Sequence, residues 1–200
     1  MYVVLVKGDR KMLQYIMPSI KHRRVLKESD LRVEMAKKQL NRFQEQKAKN
    51  KIQSKKEIIE LVNTFLEQIG IGINSKFDNE VKLKSKKETS KGRISYFDIK
   101  QQSGISCKED IVWIKLNKCG CISVVGVGCD IYFTHKTKTT TSSGKINTYL
   151  KQEWDEEFVL VFPLIGLEQT SFDRSDVESG VGNYLIANGV PVLDYYSHNY

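Results

Sequence analysis

Residues 54–70 place the strongest constraint on how this chain can fold. Ser54 and Glu57 have the spacing of a helix capping box, and Gly70 supplies a stop signal. Between these signals, six apolar residues recur on one broad face of the helix: Ile58, Leu61, Val62, Phe65, Leu66 and Ile69. A face this wide has to be buried, and it is wide enough to pack on a β-sheet.

Four short segments further along the chain have the composition of strands. They are rich in β-branched and aromatic residues and are separated by turn-forming residues: 111–116, 121–125, 130–133 and 158–162. Short strands joined by turns favour antiparallel pairing. Residues 134–144, which are polar and rich in threonine, are predicted to form a loop between them.

A second covering helix is predicted near the C-terminus. Ser175 and Glu178 repeat the capping-box spacing, and residues 188–189, Asn-Gly, end the helix. Gly180 and Gly182 weaken a helix by about 1 kcal/mol each relative to Ala, so we expect neighbouring groups to approach closely there. The last segment, 190–196, is predicted to be a strand or a tightly packed strip.

Together these elements predict an α+β fold. A central antiparallel sheet formed within residues 93–165 is covered by two helices, 55–69 and 175–188. We place this compact domain at residues 54–200, after a basic, mainly helical N-terminal arm of residues 1–53.

The arm is predicted to contain a helix over residues 29–51, which lack Gly and Pro. A thin apolar stripe runs along it, and the other faces are charged, so the helix is expected to project from the domain or to lie along one edge of it. The stripe consists of Leu31, Met35, Leu40 and Phe43.

Charge is distributed unevenly along the chain. Residues 1–60 carry 16 basic and 7 acidic side chains, whereas residues 151–200 carry 2 basic and 9 acidic side chains. Ends of opposite charge either attract one another or bind partners of opposite charge.

Binding to nucleic acid is the function that we predict from the basic arm, because phosphate contacts need little more than cations presented along a rod. The residues expected to make these contacts are Arg23, Arg24, Lys37, Lys38, Arg42, Lys47, Lys49 and Lys51. An alternative from another class is a protein interaction module, in which the basic and acidic ends pair within one subunit or between the subunits of a homo-oligomer.

Two further hypotheses concern the middle of the chain. Asp78, Asp98 and Lys100 resemble the metal-binding signature of PD-(D/E)XK nucleases, and this resemblance implies two carboxylates that hold Mg²⁺ and a lysine that polarises the attacking water. The Pro-Asp pair of that signature is absent. Residues 95–133 are compatible with a winged helix, with recognition helix 108–117, or with a β-meander.

The cysteines and the longest apolar stretch bear on whether the chain is a disulfide-rich, metal-binding or membrane protein. Four cysteines, at positions 107, 119, 121 and 129, are too sparse for a disulfide framework, so we expect reduced thiols in a cytoplasmic protein and no metal site or cofactor outside the nuclease hypothesis. The longest apolar stretch, residues 158–167, is about half the length of a membrane span, so we expect no membrane association.

Overall fold

The computed structural model of the chain describes residues 14–16, 24–82, 93–94, 110–128, 131–132 and 141–195. Residues 14–16 are helical. The helices with described bounds are α1 (Leu31–Ala48), α2 (Lys55–Gln68), α3 (Ser142–Tyr149) and α4 (Arg174–Ala187), with a 3₁₀ turn at Leu167–Gln169. The strands are β1 (Glu80–Lys82), β2 (Arg93–Ile94), β3 (Ile111–Leu116), β4 (Ile122–Gly128), β5 (Ile131–Tyr132) and β6 (Phe158–Pro163). No helix in the described ranges is both long enough and apolar enough to cross a membrane.

The predicted α+β fold is confirmed. A four-stranded sheet has the order β1-β6-β3-β4, and each neighbouring pair is antiparallel. The sheet extends beyond the expected range, because β1 adds residues 80–82, while β2 and β5 pair in a separate two-stranded sheet.

The choice between a winged helix and a β-meander is decided in part by β3. Its six residues, Ile111–Leu116, form the strand that lies between β6 and β4, so a recognition helix over residues 108–117 is wrong. The run Ile-Val-Trp-Ile-Lys-Leu has strand propensity, and burial on both sides reinforces it. The preceding helix of that hypothesis, over residues 95–103, lies outside the described residues.

The first covering helix follows the prediction closely. In α2 the Ser54 hydroxyl accepts a hydrogen bond from the Glu57 amide at 3.3 Å, and the Ser54 amide donates to the Glu57 carboxylate at 2.7 Å. The Ser54 amide and, at 2.9 Å, the Ser54 hydroxyl both donate to the Glu57 carboxylate and lower its pKa, with the amide as the larger cause. Gly70 follows the helix with a φ of 88°, a left-handed conformation that suits glycine.

Helix α4 lies at the centre of the molecule. Residues 177–182 are all buried, because the sheet, α2 and residues 14–16 surround them. The expected close approaches at both glycines are confirmed. A Cβ atom at Gly180 would lie 2.5 Å from the Phe65 ring, and a Cβ at Gly182 would lie 2.2 Å from Tyr195.

The predicted start of α4 is wrong by two residues. The capping box is formed by Asp173 and Asp176, with the Asp176 amide donating to Asp173 at 2.9 Å. Ser175 therefore lies inside the helix, and Glu178 is a buried residue of its second turn. Asp and Ser cap a helix about equally well, so two overlapping boxes were compatible with the spacing.

Two other local predictions are corrected. Residues 142–149, assigned in part to a polar loop, form α3, which begins where the Thr141 hydroxyl accepts a hydrogen bond from the Gly144 amide at 3.0 Å. In α1 the buried face is shifted, since Leu31 is 64% exposed and Met35 is only half-buried. The buried residues are Val33, Ala36, Leu40 and Phe43.

Helix α1 is packed against the rest of the fold along this face. Its buried residues form one apolar cluster with Val25, Cys121, Ile146 of α3 and Leu193 of the C-terminal segment. The helix therefore lies along the β4 edge of the molecule, one of the two placements that were expected.

We predict that Gly180→Ala destabilises the protein by about 1–3 kcal/mol, because the added methyl group overlaps the Phe65 ring. In a Phe65→Leu background the same substitution should cost much less, since the ring atoms that it would meet are gone. Urea unfolding of the four proteins of this double-mutant cycle measures the coupling. If the two substitutions lowered the free energy of unfolding by strictly additive amounts, the packing described for α4 would be contradicted.

Candidate nucleic-acid interface

The orientation of α1 is set by a buried ion pair. The Arg32 guanidinium donates from Nη2 to Asp194 Oδ1 at 2.6 Å, and the two side chains are 10% and 3% exposed. Ser143 of α3 donates its hydroxyl to the other oxygen of the same carboxylate. One acidic residue of the C-terminal quarter thus joins α1 to α3.

Two other hydrogen bonds fix the ends of α1. Before the helix, the Val25 amide donates to the Ser142 hydroxyl at 3.2 Å. In its last turns, Gln46 Nε2 donates to the Gly189 carbonyl at 2.8 Å. Because α1 is anchored at both ends and along its buried face, the side of the helix that faces solvent is determined.

Three basic residues form a row on that side. At 100° per residue, Lys38, Arg42 and Lys49 lie nearly opposite the buried side chains of Leu40 and Phe43, and all three are exposed. The axial rise places Lys38 and Arg42 about 6 Å apart, and Arg42 and Lys49 about 10 Å apart. Two more exposed lysines, Lys47 and Lys51, stand at the C-terminal end of the helix.

Neighbouring carboxylates neutralise few of these cations. Lys37 lies 3.1 Å from Glu34 and 3.7 Å from Glu28, and the hydrogen bond to Glu34 is the main cause that raises its pKa. Within the described ranges, Arg32 and Lys37 are the residues of α1 that form ion pairs with acidic side chains. The predicted site residues in and just after α1 that form no ion pair with a described acidic side chain are Lys38, Arg42, Lys47, Lys49 and Lys51.

The acidic C-terminal quarter uses its carboxylates elsewhere. Asp173 and Asp176 cap α4, Glu153 pairs with Lys118, and Asp155 accepts a hydrogen bond from the Glu157 amide at 2.8 Å. Among the acidic residues that the structure describes after residue 150, Asp194 is the one that forms an ion pair with α1. Among the described residues, Arg32–Asp194 is therefore the ion pair that joins α1 to the acidic quarter.

Two other predicted site residues that the structure describes, Arg24 and Asp78, lie outside α1. Arg24 is exposed and lies before α1, and Arg23 is outside the described residues. Asp78 is exposed, and its carboxylate accepts a hydrogen bond from the Glu80 amide at 3.0 Å, as in an ordinary turn. Asp98 and Lys100 lie outside the described residues.

The described residues contain no group of three or more His, Cys, Asp or Glu side chains that could hold a metal ion. Two of the four cysteines are described, and both are free thiols. Cys119 is exposed, whereas Cys121 is buried, and burial raises the pKa of the Cys121 thiol far above its usual range.

Sequence reasoning missed the role of Arg32, Ser143 and Asp194. Arg32 was one of many basic residues in the arm, and its partner Asp194 is 162 positions away. No spacing within the chain could have indicated that pair. Comparisons of the chain with protein-family models, with curated proteins and with solved structures found no match to any of them.

We predict that Arg32→Ala destabilises the protein by about 3 kcal/mol, because it leaves the Asp194 carboxylate buried without its cation. The exposed neighbour provides the control, since Lys38→Ala should change the free energy of unfolding by less than about 0.5 kcal/mol. Chemical denaturation measures both. Equal, small effects would show that the ion pair does not anchor α1.

Proposed function

We propose that this chain associates with nucleic acid through phosphate contacts made by the solvent-facing row of α1. The observation that carries the proposal is that Lys38, Arg42 and Lys49 are exposed on one side of an anchored helix. Within the described ranges they form no ion pair with acidic side chains. Lys47 and Lys51 are also exposed, at the C-terminal end of the helix.

The basic residues of the anchored helix differ in whether they form ion pairs with acidic side chains. Arg32 is buried against Asp194, and the exposed Lys37 lies beside Glu34 and Glu28, whereas the three residues of the row form no ion pair among the described residues. The row that remains can approach phosphates without distorting the fold. Since contacts to phosphates carry no sequence information, we expect binding that depends weakly on sequence.

The counterion atmosphere of nucleic acid provides the driving force. Each phosphate neutralised by a lysine or arginine releases condensed cations, so the affinity falls as salt rises, with a slope of about 0.9 in log units per contact on B-form DNA. Three contacts from the row predict a contribution of about 2.7 to that slope.

The rival interaction module uses some of the same cations. Within the described residues, Arg32–Asp194 is the ion pair between α1 and the acidic quarter of the same chain. Pairing between the basic row of one copy and the acidic quarter of another stays a hypothesis. It predicts a dimer that light scattering detects without nucleic acid and that dissociates as salt is raised.

The nuclease hypothesis depends on Asp98 and Lys100, which lie outside the described residues, and on Asp78, whose carboxylate stabilises a turn. It gains no support from the geometry. Incubating the protein with a nucleic-acid duplex and Mg²⁺, and looking for cleavage of the duplex, would distinguish catalysis from binding alone.

The binding proposal is tested by neutralising the row. The triple variant Lys38→Ala, Arg42→Ala, Lys49→Ala should lower the affinity for mixed-sequence duplex DNA and RNA at low salt, and should reduce the salt slope by about 2–3. Fluorescence anisotropy with labelled duplexes over a salt series measures both quantities.

A matched control removes the same charge from another surface. Lys56, Lys76 and Lys82 are exposed basic residues outside α1, and their triple alanine variant should keep the wild-type slope. Equal losses of affinity in the two triple variants would show that binding depends only on the net charge of the protein. That result would overturn the proposal. So would undetectable binding of the wild-type protein at low salt.

A further inference from the structure

A hollow beside α3 has the size of a small-molecule site. Its volume is about 450 Å³, which falls within the range of ligand pockets in proteins. One wall is a face of α3, and the other is the segment that connects α3 to β6. The lining residues are Gly144, Asn147, Thr148, Lys151, Gln152, Glu153 and Trp154.

The hollow lies on the side of α3 that points away from α1. Gly144, Thr148 and Lys151 are spaced by four and three residues and so share one helical face. Ile146 lies on the opposite face, where it packs into the apolar cluster with α1. The hollow is therefore distinct from the basic row of α1.

The backbone of Lys151 has an unusual conformation. Its φ is 54°, a left-handed value, and its amide donates to the Thr148 carbonyl at 3.1 Å. The Gln152 amide donates to the Asn147 carbonyl at 2.8 Å, which completes a Schellman-type helix end. Glycine is the usual residue at this position, because a side chain there is strained. Stability alone would favour glycine over lysine at residue 151.

The polar side chains around the hollow are mostly committed to the protein itself. Asn147 donates to the Ser143 carbonyl at 2.8 Å, Gln152 to the Leu150 carbonyl at 3.1 Å, and Thr148 to the Gly144 carbonyl at 2.9 Å. The Glu153 carboxylate is paired with Lys118. The Lys151 side chain is exposed and forms no ion pair with any acidic residue that the structure describes, so its ammonium group can meet a ligand.

We propose that this hollow binds a small organic anion, whose acid group contacts the Lys151 ammonium and whose aromatic or apolar body lies against Trp154 and Gly144. Lysine supplies one positive charge and three donors, which suits a carboxylate or a phosphate monoester. The apolar part of the lining is the bare backbone of Gly144 and the exposed edge of Trp154, which is 7% exposed and has the Lys115 ammonium 5.4 Å from its ring centroid. The proposal is independent of nucleic-acid binding by α1.

Adenosine 5′-monophosphate is a suitable probe, because it carries both an acid group and an aromatic body. The chain has two tryptophans, so its indole N–H resonances provide an internal comparison. In a titration followed by ¹H–¹⁵N NMR, the Trp154 indole signal should shift and saturate while the Trp113 signal stays in place. Inorganic phosphate alone should bind more weakly. Movement of neither indole signal up to millimolar probe would overturn the proposal.

Lys151→Gly separates a binding role from a structural one. The substitution should raise Tm by about 2–4 °C by relieving the left-handed strain, and should weaken binding of the probe by at least about tenfold. Asn50→Gly is the matched control, since Asn50 has a φ of 52° outside the hollow. This control should leave binding unchanged. Undiminished binding by Lys151→Gly, or a lower Tm, would contradict the assignment.

Discussion

The fold depends on the way in which its C-terminal segment, residues 190–195, lies against the β4 edge. The Leu193 amide donates to the Ile122 carbonyl at 2.9 Å, and the Val125 amide donates to the Asp194 carbonyl at the same distance. These bonds cover an edge that would otherwise expose unpaired backbone groups. They also carry the Asp194 carboxylate to Arg32, the Leu193 side chain into the α1 cluster and Tyr195 onto α4.

Anchoring of α1 follows from that segment and fixes which side of the helix faces solvent. An isolated helix of this composition would be marginal and could turn any face to solvent. A buried ion pair adds little net stability. It nevertheless favours one orientation of the helix, because any other orientation would leave a charge buried without its partner. With the orientation set, Lys38, Arg42 and Lys49 lie in one exposed row. Among the described residues, α1 therefore presents a row of three exposed cations.

Local signals in the sequence predicted local structure well. The Ser54–Glu57 capping box and the close approaches at Gly180 and Gly182 follow from spacing and from helix propensity, and the structure contains all of them. Tertiary contacts decided the rest. The buried face of α1 includes Ala36 instead of Leu31 because α3 packs there, and α3 itself has a polar sequence that is helical through burial of Ile146 and the Thr141 cap. The Arg32–Asp194 pair and the hollow at Lys151 bring together residues that no spacing rule connects.

The central claim is that α1 is an integral part of the fold, with Lys38, Arg42 and Lys49 on the side that faces solvent. Native-state hydrogen exchange of the amides from Val33 to Phe43 tests it most directly. The account predicts that these amides are protected to a degree similar to those of β3, and that Asp194→Ala lowers their protection more than that of β3. Exchange of the α1 amides in the wild-type protein at the rate of an isolated helix would contradict it.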